Sequence, residues 1–339
     1  MNIIYILIGI LLLGVLVILH ELAHFTLAKL NKVKVEEFAV GMGPLLTSIQ
    51  GKETLYSIRA LPIGGYVRMF GEDEQSKEEG SFSSKSPWRK LSIVAAGPIM
   101  NLLVAIVIFA FIGFVSGFAT TTITETMENS PAAQVGLQSG DKIIKINDSK
   151  ISSWDDITTE IILNKNEPLD LTVLRDGEEY TFELTPMYVE KEDRYLIGIT
   201  PMYEENPNLG EALGQGLKQV NTITKQTFVS LGRMFKGEAS KDEVGGPVTI
   251  IRVTSMAAKA GFLNLLYLGG FISMSFAIFN ILPIPALDGG WIVLFLIQII
   301  TRKEIDQKYV TIINKIGFTF LLFLMVAITI KDILFPVKF

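Results

Sequence analysis

Cysteine is absent from the 339 residues, and histidine occurs only twice, as His20 and His24. The first absence removes disulfides, thiolate nucleophiles and thiolate-bound zinc together. Charge is sparse as well. Asp, Glu, Lys and Arg make up 19% of the chain against 49% hydrophobic residues, below the quarter usual for a soluble domain. The net charge is −5 with no basic run, so a nucleic-acid partner is not expected. Met1 to Leu19 carries neither a basic leader nor a small-residue cleavage site, which predicts a retained segment rather than a cleaved signal peptide.

What is abundant is long uncharged sequence. Ile3 to Ala28 is interrupted only by His20, Glu21 and His24; Leu91 to Phe118 is uncharged; Gly261 to Thr301 holds only Asp288; Ile312 to Ile330 holds only Lys315. At 1.5 Å per residue each stretch can cross about 30 Å of hydrocarbon. The expected fold class is a polytopic α-helical membrane protein of about four transmembrane helices. Its expected organisation is a first transmembrane helix over 1–30, a cytoplasmic loop over 31–90, a second helix over 91–118, an inserted α+β domain over 120–203, an amphipathic connector over 204–260, a third transmembrane segment over 261–301 and a fourth helix over 312–334.

Lys29, Lys32, Lys34, Lys52, Arg59, Arg68, Lys77, Lys85, Arg89 and Lys90 crowd the first loop, which positive-inside bias assigns to the cytoplasm. Arg302, Lys303 and Lys308 then fall on the same side, and residues 120–260 on the other. A bacterial plasma membrane with the inserted domain extracytoplasmic is the localisation this implies.

On a helix, positions i and i+4 share a face about 6 Å apart, so His20 and His24 can direct imidazole nitrogens at one metal ion. Two histidines placed at random in this length fall four apart roughly 1 time in 170, which favours a motif over coincidence. Glu21 lies beside them, off the ligand face, where a carboxylate can move a proton between water and a leaving amine. Lys29 is eight residues beyond Glu21, so the group sits about 12 Å inside the helix end, where ionisable side chains are costly unless they function. A catalytic zinc takes three protein ligands and one open position. With no third histidine and no cysteine, the third donor has to be a carboxylate, and Asp288 is the one deep within another apolar segment. Around it "NILPIPALDGG" places Pro283, Pro285, Gly289 and Gly290 where a helix must break in mid-membrane. Asn280 can donate its amide to a substrate carbonyl or serve as a buried structural amide. By affinity alone, two histidines and an aspartate also admit other divalent ions.

The pattern "HELAH" (His20 to His24), "AAGPIMN" (Ala95 to Asn101) and "NILPIPALDGG" (Asn280 to Gly290) resembles the bacterial site-2 proteases, intramembrane zinc metalloproteases. "SPAAQVGLQSGDKIIKINDSKISSWDDI" resembles a PDZ domain, which makes the chain similar to single-PDZ members of the regulator-of-sigma-E protease branch. The resemblance implies one catalytic Zn²⁺ held by His20, His24 and Asp288, Glu21 as acid/base, and Asn280 on the substrate side. It also implies a membrane-associated β-hairpin, matched here to Thr54–Met69 with a turn at Gly64-Gly65, whose free edge would bind an unwound substrate. An ordinary cytoplasmic hairpin is the plainer alternative. Trp291 and Met42 depart from residues common in that family. The expected substrates are single-span membrane proteins such as anti-sigma factors, or signal-peptide remnants, with the bilayer as a partner and a possible C-terminal peptide at the PDZ-like domain. A catalytically silent adaptor and a metal transporter are the competing classes.

Overall fold

The computed structural model describes residues 3–72, 76, 78–190, 194–238, 245–303 and 305–336. Lys77 of the basic loop and residues 239–244 of the connector lie outside them. The chain divides into two compact units, one formed by the residues up to Ala105 together with those from Arg233 onward, the other by Ile106–Gly232.

The first unit opens with α1 (Ile3–Leu30), followed by β1 (Val35–Gln50), β2 (Leu55–Met69) and α2 (Pro87–Ser116), whose last turns belong to the second unit. The two strands pair antiparallel through a turn at Gly51–Thr54, but each is bent, and the bends change the topology. Phe38 lies opposite Val67 on one side and Tyr56 on the other; Ala39 likewise lies between Tyr66 and Ser57. The first half of β1 is therefore sandwiched between the two halves of β2. Glu37, 2% exposed, links all three: Oε1 accepts from Ser57 Oγ and Arg59 Nη2, both at 2.6 Å, and Oε2 faces Arg68 Nη2 at 3.3 Å. This corrects the expectation of a simple hairpin within Thr54–Met69. Gly64, at φ +84°, does mark a bend, but the halves on either side of Gly64-Gly65 pair with β1 and not with each other. A local glycine pair signals the bend and cannot reveal which strand comes between.

The second unit contains β3 (Phe118–Thr126), α3 (Pro131–Gln134), β4 (Lys142–Ile146), β5 (Ser149–Lys150), α4 (Trp154–Asn164), β6 (Leu169–Arg175), β7 (Glu178–Leu184), β8 (Met187–Val189), β9 (Arg194–Leu196), β10 (Ile199–Glu204) and most of α5 (Leu209–Phe235). The main sheet runs β10-β3-β4-β6-β7 and, with α3 and α4, encloses Ile123, Leu137, Ile143, Ile157, Leu171 and Val173. Inward residues alternate along β6, as a half-buried strand requires. Asp141, almost fully buried, accepts from Arg175 Nε and Nη2 at 2.6 and 2.7 Å. Burial pushes its carboxyl up, but the Arg175 fork and the Gln138 N–H outweigh that and hold it below its ordinary value. Asp156 closes a capping box with Ser153 and accepts from Thr222 of α5 at 2.8 Å, tying that helix to α4.

The remaining helices are α6 (Pro247–Ala260), α7 (Phe262–Ile281), α8 (Asp288–Thr301) and α9 (Gln307–Leu334). Among the described residues four helices, α1, α2, α7 and α9, are long and apolar enough to cross a membrane; α8 is apolar but shorter. Residues 204–260 thus hold two helices, and the third apolar stretch is two helices joined by a turn. α6 packs on α1, where Gly9 accommodates Thr254. Its first turn is capped from α9: Gly246 and Thr249 N–H donate to Asp332 Oδ2 at 2.8 and 2.9 Å.

Candidate metal centre

α1 presents His20 and His24 one turn apart, and the start of α8 presents Asp288 to both. Asp288 Oδ2 lies 3.2 Å from His20 Nε2 and 3.5 Å from His24 Nε2, and the two Nε2 atoms are 3.1 Å apart. Ligands 2.0–2.1 Å from a tetrahedral zinc are about 3.3 Å from one another, so the triangle has the edge lengths that such an ion imposes. Among the described residues no other group of three metal-binding side chains converges in this way.

The opposite side of each imidazole is already engaged. His24 Nδ1–H donates to the Ile93 carbonyl at 2.8 Å, and His20 Nδ1 lies 2.9 Å from the Asn101 amide, both on α2. Asn101 Oδ1 has no partner among the described residues, and exchanging the amide oxygen and nitrogen lets it accept the His20 Nδ1–H. Both Nε2 atoms then carry bare lone pairs, facing each other and Asp288 Oδ2, itself buried without a hydrogen-bond partner. Three acceptors aimed at one point with no donor between them call for a cation. The residues present fit zinc.

Sequence pattern accounts for the close approach of these elements. A Cβ on Gly97 would collide with Nε2 of both histidines, so α2 can pass this point only with glycine there. Pro98 follows and leaves the Val94 carbonyl without its helical donor. On the other side, Gly289 lets the turn 282–287 fold back until the Leu282 and Ile281 carbonyls occupy the space of a side chain. Ala286 in that turn adopts φ +72°, and its N–H donates to Asn314 Oδ1 of α9 at 3.2 Å. Asn101, Gly97 and Asn314 were not singled out by the sequence reading. The "AAGPIMN" motif contains the first two, whereas nothing local flags Asn314.

Of the other expected residues, Glu21 is half-buried on α1, and Gly65 of β2 lies directly against it: a Cβ there would meet Glu21 Cγ at 3.3 Å and Val17 Cγ1 at 3.7 Å. Gly64 instead packs on Met42. Asn280 is half-buried near the end of α7, with no hydrogen-bond partner for its side chain among the described residues. Trp291 stacks on Phe295 at 5.7 Å between ring centroids.

Two histidines and an aspartate converge on one point, with a carboxylate one residue from the first histidine, a set that can hold a metal ion beside a group able to move a proton. Residues 8–324 match the model of peptidase family M50, and the chain belongs to that family. It is 48% identical to a protein named as a candidate zinc metalloprotease of Clostridium acetobutylicum, over 98% of each chain. It is 30% identical to the regulator of sigma-W protease RasP of Bacillus subtilis, over 94% of this chain and 96% of the relative. A solved PDZ domain of an SdrC-like protein from Listeria monocytogenes aligns with 25% of this chain and 90% of its own, at 20% identity and a TM-score of 0.23. The protein is a multi-pass membrane zinc metalloprotease.

Proposed function

We propose that His20, His24 and Asp288 hold the catalytic zinc and that Glu21 is the acid/base for hydrolysis of a peptide bond in or near a substrate's transmembrane segment. The observation that carries this reading is the convergence of three unpartnered acceptor atoms, with both Nδ1 positions already engaged. Bound zinc supplies Lewis acidity, polarising the scissile carbonyl and lowering the pKa of water to about 7. Glu21 takes the proton from the attacking water as the C–O bond forms, and returns it to the amide nitrogen as the C–N bond breaks. Asn280, whose amide has no partner among the described residues, donates to the substrate carbonyl oxygen as negative charge develops there.

A transmembrane helix hides its carbonyls in its own hydrogen bonds, so a substrate must be extended before attack. The half of β2 from Gly64 to Met69 pairs with β1 on one side only, and Gly65 abuts Glu21. These features support a substrate strand adding to that edge beside the reacting groups. Leu46 at 66% and Ile49 at 74% exposure on β1 fit a sheet that dips into lipid. The Bacillus subtilis relative is named the regulator of sigma-W protease, which supports proteins that control a sigma factor as the substrate class here; the basic residues of the loop 31–90 support a cytoplasmic loop and an extracytoplasmic PDZ-like domain. That domain then binds a C-terminal peptide or excludes bulky ectodomains.

The test is cleavage of a transmembrane peptide by purified protein in detergent, comparing native, Glu21→Gln and chelator-treated samples. Glu21→Gln is expected to keep its zinc and lose activity by about 10²- to 10⁴-fold. Undiminished cleavage by that variant would refute the assignment of Glu21.

A further inference from the structure

Away from the metal centre, the segment leading into α2 and the end of α8 enclose a cavity of about 870 Å³. Among the described residues four cations line it, Lys85, Lys90, Arg302 and Lys303, together with the Ser86 hydroxyl, and no described lining residue is acidic. Among the described residues Lys85, Arg302 and Lys303 form no ion pair. Lys90 is held over Phe82 and Phe295, 5.9 and 6.0 Å from the ring centroids. The catalytic proposal uses none of these groups.

Three features say what the cavity would take. Cations around a hydroxyl and the first turn of a long helix form an anion site of the kind that phosphate fills. The cavity also opens at the start of a spanning helix, where Trp88 is 64% exposed, the position at which tryptophan marks the headgroup level. Finally, Ile305 is shared with an apolar crevice of about 240 Å³ between α8 and α9, lined by Val293, Ile297, Val310 and Ile313. A free phosphate has no use for such a crevice, whereas an acyl chain does.

Arg302 adds an independent sign. It caps α8 in the left-handed region at φ +55°, where glycine would be the least strained residue. Its guanidinium is kept at that backbone cost and lines the cavity.

We propose that this cavity is a binding site for the phosphate headgroup of an acidic phospholipid, with an acyl chain in the adjoining crevice. The chemistry recognised is a phosphate diester anion. The bilayer is its source.

The experiment is a titration of the purified full-length protein in phosphatidylcholine nanodiscs with phosphatidylglycerol, followed by native mass spectrometry, with inorganic phosphate in a parallel arm. Native protein is compared with Lys85→Gln/Arg302→Gln and with Lys32→Gln/Lys52→Gln, which removes equal charge at residues outside the cavity. Saturable binding is expected for native and control protein, weakened about 10-fold or more in the cavity variant. Arg302→Gly, which suits the backbone, guards against misfolding and is expected to weaken binding several-fold by itself. Equal weakening in cavity and control variants would reduce the effect to general surface attraction and overturn the proposal. Saturable binding of inorganic phosphate that excludes the lipid would also overturn it, assigning the cavity to a free anion.

Discussion

The Asn101 amide lies 2.9 Å from Nδ1 of His20, across 81 residues of sequence, on the side of the ring away from Asp288. It fixes which nitrogen carries the proton and so leaves Nε2 free for metal. Outer partners of this kind typically change metal affinity 10- to 100-fold. Asn101→Leu is therefore expected to weaken zinc binding by about 10- to 100-fold, measured by competition with a chromophoric chelator. Unchanged affinity would show that the amide does not position the ring.

Gly97 sets the distance between α2 and the histidines. Gly97→Ala puts a methyl group where both Nε2 atoms now converge, so purified protein should insert normally yet retain little zinc. Full zinc content in that variant would mean that the donors have another arrangement.

Asn280 is expected to act on the substrate and not on the metal. Asn280→Ala should leave zinc content unchanged while lowering kcat about 10²- to 10³-fold. Loss of zinc with activity would instead make it a structural amide.

In the second unit, Asp141 and Asp156 are held below their ordinary values, in each case because hydrogen bonds and charge outweigh a burial effect that acts the other way. Depressed carboxyl values contribute stability that is complete above the unfolded-state value near 3.9 and is lost as pH falls through the folded value. Hydrogen exchange of residues 118–204 in the full chain should therefore be flat from neutral pH to about pH 5 and accelerate below about pH 4, after correction for intrinsic rates. Asp141→Asn should raise exchange at neutral pH and flatten the acid limb. Removal of the Ser153 cap of α4 by alanine should cost about 1 kcal/mol.

The convergence of His20, His24 and Asp288 was legible from sequence because its signals are either local or set by scarcity. The spacing of His20 and His24 is a helical repeat, and the absence of cysteine and further histidine left an intramembrane carboxylate to find. Pro283 and Pro285 marked the break that separates α7 from α8. The unread parts depend on contacts between distant segments. A buried asparagine such as Asn101 looks like any other in a list of letters, and the cap that Asp332 gives α6 joins residues 83 and 86 positions apart. The same limitation produced the misreading at Gly64-Gly65, where pairing with β1, not the glycine pair, decides the sheet order.

Asp288 is the third donor of the proposed site, and zinc stoichiometry in Asp288→Asn tests that assignment most directly, by metal analysis of dialysed protein alongside peptide cleavage. Native protein should hold about one zinc per chain, while Asp288→Asn, still membrane-inserted, loses both zinc and cleavage. Full zinc occupancy with undiminished cleavage in Asp288→Asn would contradict the proposed centre.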